Sequence, residues 1–172
     1  MIGVSHVSRR LAVGLTAGVA PLCFAVAMLG GAAGARADEC PKDKVLTEHA
    51  DIGWKDDVGI RRKTLALIDL NGWRGIGDLR LRMRRLTIPP GGIIPTHEHT
   101  DRPSLVFFVT GEAIEHNSKS AVPIVHHAGE SDTEWGDYRH WWENKTDSDV
   151  VLIGVDIVDP GFLDDPKTDE IN

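Results

Sequence analysis

Cysteine and tyrosine are scarce in this sequence: two cysteines and one tyrosine in 172 residues. Cys23 lies inside an N-terminal apolar run, and Cys40 stands just beyond it. If that run is removed, Cys40 is the only cysteine left. An internal disulfide is then excluded, and Cys40 is a free thiol or an intermolecular link. Positive charge is also short. There are 19 basic residues against 26 acidic ones. Three of the basic residues, Arg9, Arg10 and Arg36, belong to the N-terminal segment, which has no acids. Without them 16 remain against 26, a formal charge of −10. Such a domain repels nucleic acid and anionic membrane surfaces, so neither is expected as a partner. There is no long segment of 3.6-residue periodicity and no repeat at a fixed period.

The N-terminal segment reads as an export signal. Arg9-Arg10 is a basic start, residues 11–34 are an uncharged Ala, Gly and Leu-rich run, and Ala35-Arg36-Ala37 is a cleavage pattern. Cleavage after Ala37 leaves 135 of the 172 residues. An uncleaved membrane anchor is the alternative, because the run is long enough to span a bilayer. Ser8-Arg9-Arg10 before it fits twin-arginine export loosely. The expected location is periplasmic or secreted, with no membrane contact after cleavage. Residues 38–62 read as a polar arm, 63–159 as the folded domain and 160–172 as an acidic tail.

Within the domain short strands dominate, separated by Gly, Pro and Asn turns. Residues 63–70 read as a first strand. Leu79, Leu81 and Met83 alternate with Arg80, Arg82 and Arg84, which predicts a half-buried strand with a basic outer face. The phase changes at Arg85-Leu86, by a bulge or by burial of both faces. Kept parity points Arg85 inward, where it would hold a substrate carboxylate or serve as a structural or solvated charge. Pro89-Pro90-Gly91-Gly92 turns the chain. Residues 93–99 and 104–110 read as strands joined by a loop over 100–103, the second apolar on both faces. Strands over 122–127, 135–144 and 150–158 follow. The fold class expected is all-β, a small antiparallel sandwich or barrel.

His97 and His99 are two apart and share one strand face, a natural beginning for a transition-metal site. A third histidine, His140, lies in the aromatic stretch 138–144. These runs carry a resemblance. Gly91, His97, His99 and Gly111 match the first motif of the cupin family, and Gly129, His140 and Asn144 match the second. Ser104 stands where the first motif has Glu, and Trp135 and Asp137 stand where the second has Pro and Gly. The resemblance implies a jelly-roll barrel, a double-stranded β-helix, that binds one divalent transition metal (Fe, Zn, Mn or Ni) through His97, His99 and His140. With Ser104 at the Glu place, a three-histidine site is expected, with Asp101 or Glu98 as substitute carboxylates. Resemblance to three-histidine cupins implies a dioxygenase-like activity, and cupins commonly form homodimers. The function expected is an exported small-molecule oxygenase or lyase; the alternative is a non-catalytic metal or small-ligand binding protein.

Other residues are candidates for chemistry. His126 or His127, but not both, should face the interior as a general base. Tyr138 would donate a proton near the site or sit on its rim. Trp142, on the His140 face, would wall the pocket or simply pack in the core. Asn144 should hydrogen-bond the backbone, and His49 should lie at the surface.

Overall fold

The computed structural model describes residues 40–163. The expected export segment, its expected cleavage point after Ala37 and most of the acidic tail lie outside them. Seven strands follow one another: β1 (Arg61–Asp69), β2 (Arg80–Ile88), β3 (Ile93–Thr110), β4 (Glu112–Asn117), β5 (Ile124–His127), β6 (Ser131–Glu143) and β7 (Val150–Val158). They form one sheet in the order β1-β2-β7-β3-β6-β4-β5, every pairing antiparallel. The expected all-β class is the one observed.

The sheet curls on itself. Its core combines Leu86 and Ile88 of β2, Ile94, Val106 and Phe108 of β3, Ala113 of β4, Trp142 of β6 and Val150 and Leu152 of β7. Strands far apart in the hydrogen-bonded order can share one core only if the sheet closes towards a barrel. The arm before β1 lies along this body. Val58 bridges to Ile93, Val45 bridges to Ser120, and the Trp141 indole donates to the Ile52 carbonyl. Cys40 is a free thiol, its Sγ 2.9 Å from Ser120 Oγ.

Three local expectations are corrected. The stretch from Ile93 to Thr110 is one strand, not two joined by a loop. Its ladder to β6 loses register between His99 and Ser104, so Pro103, which cannot donate to a ladder, falls at an irregularity inside the strand. On the second half of β3 Ser104, Val106 and Phe108 turn inward, while Leu105, Phe107 and Val109 are exposed, so its apolar outer face is not buried.

The third correction concerns β2. Its alternation is real, but its polarity is inverted. Arg82 is 1% exposed and faces in, Arg84 is half-buried on the same side, and Met83 and Arg85 are exposed. Arg85 therefore does not enter the interior. The cause is across the ladder: Arg82 pairs with Asp156 of β7, which meets its charge inside, while Met83 pairs with Val155 on the outer face. The change of phase near Arg85 is burial of both faces, since Leu86, Thr87 and Ile88 are all buried and the β2–β7 register runs without a shift.

Candidate metal centre

The longest strands, β3 and β6, build the site between them. His97 lies directly opposite His140, His99 opposite Gly136, and Ser104 opposite Glu134. Register shifts on both sides of His99 bring these residues together. Gly136 has φ +120°, a backbone state that side chains strongly disfavour, and it lets β6 bend there. The glycine of this turn is thus one residue before Asp137, the position the motif suggested.

The three imidazoles form a triangle, with ring centroids 4.5 Å (His97–His140), 4.9 Å (His97–His99) and 5.2 Å (His99–His140) apart. Each Nδ1 is already committed. His97 Nδ1 lies 2.8 Å from the Pro95 carbonyl, His99 Nδ1 2.8 Å from the Arg102 carbonyl, and His140 Nδ1 2.7 Å from Glu115 Oε1. These acceptors favour the Nδ1–H tautomer, with each Nε2 as a lone-pair donor, the arrangement found around metal-ligating histidines; at His140 the Trp142 indole N–H also points at Nδ1, 3.3 Å away. Glu134 completes the group. Its Oε2 is 3.2 Å from His99 Nε2 and its Oε1 is 3.7 Å from His140 Nε2. Neither contact has hydrogen-bond geometry, so two fully buried ring nitrogens are left without a hydrogen-bond partner.

One ligand atom from each of His97, His99, Glu134 and His140 lies within 4.8 Å of the others. Ligands at about 2.1 Å from a single ion are at most about 4.2 Å apart, so small side-chain adjustments close this cluster on a cation. The donor set, three imidazole nitrogens and one carboxylate, suits first-row divalent metals. A cation there would also satisfy the orphaned nitrogens. The residues fit a metal.

The electrostatics differ among the three rings. Burial, with His140 and His99 as neighbours, holds His97 well below its ordinary value, and burial also lowers His99. Burial would lower His140 too, but the Glu115 hydrogen bond and the charge of Glu134 outweigh it and raise His140. Glu115 is fully buried. Burial pushes its carboxyl up, yet hydrogen bonds from His126 and His140 hold it down at about 2. Asn117 adds another bond to Oε1, and His126 Nε2 meets Oε2 at 3.1 Å. With both oxygens engaged, Glu115 acts as the anchor of His140. Asp132 lies close to Glu115 and His126, its carboxyl raised to about 6 by burial and by Glu115.

The sequence reading missed Glu134. Its signal is register, not spacing: Glu134 faces Ser104 across the ladder, so the carboxylate absent from β3 is supplied from β6. The candidate cluster thus adds a glutamate to the three expected histidines. Glu98 and Asp101 are both exposed and take no part. Asp156 faces Ser104 from the other side. A Glu at 104 would stand between two buried carboxylates; serine avoids that repulsion.

A cavity of about 360 Å³ opens over this group, walled by Trp142, Ile94 and Val106 and rimmed by Trp54 and Phe162. His97, His99 and Glu134 reach it, as do Arg82, Arg84 and Arg102. The other candidates lie elsewhere. His126 is buried behind His140, stacked on Phe108 and Trp142, while His127 is exposed beside Glu112. Tyr138 stands edge-on to His140, 5.3 Å between ring centres, its hydroxyl 3.4 Å from the Thr133 carbonyl. Burial raises its proton affinity. Neither His126 nor Tyr138 lines the cavity. His116 stacks on Trp141 and bonds Glu143, His49 contacts Ser118 and Asp137, and Asn144 ties the carbonyls of Ile88 and Ser148.

No protein-family model and no curated protein matches the chain. Solved structures do. A predicted oxalate decarboxylase from Thermotoga maritima is 19% identical, with 58% of this chain and 94% of that one covered at a TM-score of 0.41. A Cupin 2 conserved barrel domain protein from Salinispora arenicola is 19% identical over 60% and 80%, at 0.44. A protein with a double-stranded β-helix domain from Klebsiella pneumoniae is 16% identical over 59% and 80%, at 0.45. The architecture of this chain is all-β and antiparallel, and its neighbours among solved structures include cupin and double-stranded β-helix proteins.

Proposed function

We propose that this protein binds one divalent transition metal through His97, His99, His140 and Glu134 and uses it on a small organic molecule held in the adjoining cavity. The observation that carries the reading is the pair of orphaned Nε2 atoms, on buried His99 and His140, turned towards Glu134 while every Nδ1 is engaged elsewhere. Bound there, a metal supplies Lewis acidity or, if redox-active, oxygen chemistry, which makes an oxygenase or lyase the matching reaction class. The protein's part is orientation and exclusion of water. Glu115 fixes the His140 ring, the backbone carbonyls of Pro95 and Arg102 fix the other two, and Trp142 and Ile94 keep one side of the cavity apolar. We further propose that the protein is exported and acts as a homodimer, on the strength of its N-terminal segment and its exposed apolar sheet face.

The test is metal content. Protein purified without a metal-affinity tag should carry near-stoichiometric divalent metal by elemental mass spectrometry. His97→Ala with His99→Ala, and separately Glu134→Gln, should lose it while keeping the fold by circular dichroism. Absence of metal from the wild type, even after reconstitution, would overturn the reading.

One observation favours a second reading, a non-catalytic metal or small-ligand binding protein. Among the described residues, and beyond the proposed ligands, the cavity is lined by no histidine or tyrosine able to shuttle protons; its other acids, Asp56 and Asp57, are exposed. Stoichiometric metal with no consumption of oxygen or of any candidate substrate would select this reading.

A further inference from the structure

Gly111 and Gly136 have φ +82° and +120°, where a side chain is strained. Gly154 has no such reason to be glycine. It lies in the middle of β7, outside the positive-φ positions. It pairs with Arg84 on one side and Val106 on the other, and both ladders pass through it without a shift, so no bulge requires it. A Cβ placed there would make only ordinary contacts, Leu86 Cδ1 at 3.6 Å and Arg84 Cγ at 4.0 Å, both of them side-chain atoms. Glycine weakens the interior of a strand, and it stands there where a backbone bends, another backbone comes close or a ligand does. The first two are excluded at Gly154.

What the missing side chain leaves open is the cavity. Gly154 is buried on the inward face of β7, between Leu152 and Asp156, and it lines the cavity. Leu86, Ile94, Val106, Trp142 and Leu152 line it too, all of them members of the hydrophobic core. A core of this kind normally closes on itself at crystal-like density. Here it borders about 360 Å³ of open space, the volume of a small-molecule site. The charges on the cavity wall are engaged within the protein. Arg82 grips Asp156 through Nε at 3.0 Å and Nη2 at 2.8 Å, Arg102 reaches the same carboxylate at 2.9 Å and Arg84 approaches it at 3.7 Å. Arg62 pairs with Asp57, and Lys55 lies over the Trp141 ring. The wall beside Gly154 therefore calls for an apolar group and not for a charged one.

We propose that Gly154 is a specificity-determining residue: it keeps open a hydrophobic subsite that receives the uncharged apolar body of a small organic molecule, packed against Leu86, Val106, Leu152 and Trp142. Any side chain at 154 takes volume from that body. A charged group placed there would lose its water without gaining a partner. This deepens the reading of the cavity as the place where the organic molecule is held, and the subsite itself does not depend on the metal.

The experiment is a titration with two fluorinated probes of similar shape, neutral 4-fluorotoluene and anionic 4-fluorobenzoate, followed by fluorine NMR. Both are added to the full chain, zinc-loaded and metal-free, with zinc measured in the same samples. 4-Fluorotoluene should bind in both states, and on metal-free protein 4-fluorobenzoate should bind at least about tenfold more weakly. Gly154→Leu should weaken 4-fluorotoluene by about tenfold or more by filling the space, and Gly154→Ala by less, with zinc content unchanged. Gly154→Ala should melt no lower than wild type, because alanine fits an extended backbone and restricts the unfolded chain. A merely structural glycine would give the opposite pattern, a lower melting point with binding unchanged, and that pattern overturns the proposal. Gly154→Leu within about twofold of wild type overturns it as well. Tighter binding of 4-fluorobenzoate than of 4-fluorotoluene to metal-free protein overturns it in favour of charge recognition. Bound zinc with no 4-fluorotoluene binding refutes this inference and leaves the metal reading standing. 4-Fluorotoluene binding to a protein that takes up no zinc does the reverse.

Discussion

Glu115 does not line the cavity, yet it sets the state of His140, a member of the candidate metal cluster. Its Oε1 accepts from His140 Nδ1 at 2.7 Å, its Oε2 from His126 at 3.1 Å, and both partners are fully buried. Carboxylate partners of this kind fix ring orientation and raise ligand basicity. Glu115→Gln keeps the shape but turns one acceptor oxygen into an amide donor facing a ring N–H. Metal affinity should fall by about 10–100-fold, read by competition with a chromogenic chelator, with the fold retained. An unchanged affinity would show that Glu115 serves packing alone. The residue scale also marks how far the sequence could be read. His97, His99 and His140 are legible because their spacing is local and strand parity is simple. Glu134 is not, because what makes it part of the group is its position opposite Ser104, which depends on how β3 and β6 pair.

Among the elements, β2 teaches the limit of hydropathy patterning. Alternation gives the period of a strand but not the side that faces in, and the choice rests with the neighbouring strand. Asp156 on β7 makes that choice by offering Arg82 a partner inside. It is also where the pairing of β2 and β7 is most vulnerable. Removing one partner of a buried ion pair strands the others, and Asp156→Asn should cost about 3–5 kcal/mol in chemical denaturation. The sign of the pH effect follows from its lowered proton affinity. The stabilisation is complete above the ordinary aspartate range near pH 4 and is lost as pH falls below it. Wild type should therefore lose stability more steeply than Asp156→Asn through that acid range. Parallel curves would mean that Asp156 does not contribute through its charge. β3 shows a different limit. Pro103 reads as a loop, but a long strand can carry a proline where its ladder is already out of register.

For the whole molecule the outer face of the sheet is the feature least expected. Met83 of β2, Val155 of β7 and Leu105 of β3 stand in one outward row, and Phe107 stands in the next beside Ile153 and Arg85. Met83, Leu105 and Phe107 are 40–58% exposed. Contiguous apolar surface of this kind marks contact sites. We expect sedimentation at micromolar concentration to show a homodimer and Phe107→Lys to shift it to monomer with metal content unchanged. A wild-type monomer at that concentration would remove the expectation.

His97 and His99 belong to one strand, and Glu134 and His140 to its neighbour, so a cation held by all four clasps the two longest strands of the barrel. A solute bound only by the folded chain stabilises it by an amount that grows with the logarithm of its saturation. Thermal midpoint thereby becomes a gauge of occupancy. Chelation, reloading and rank order among metals can all be followed by melting curves, before any substrate is known.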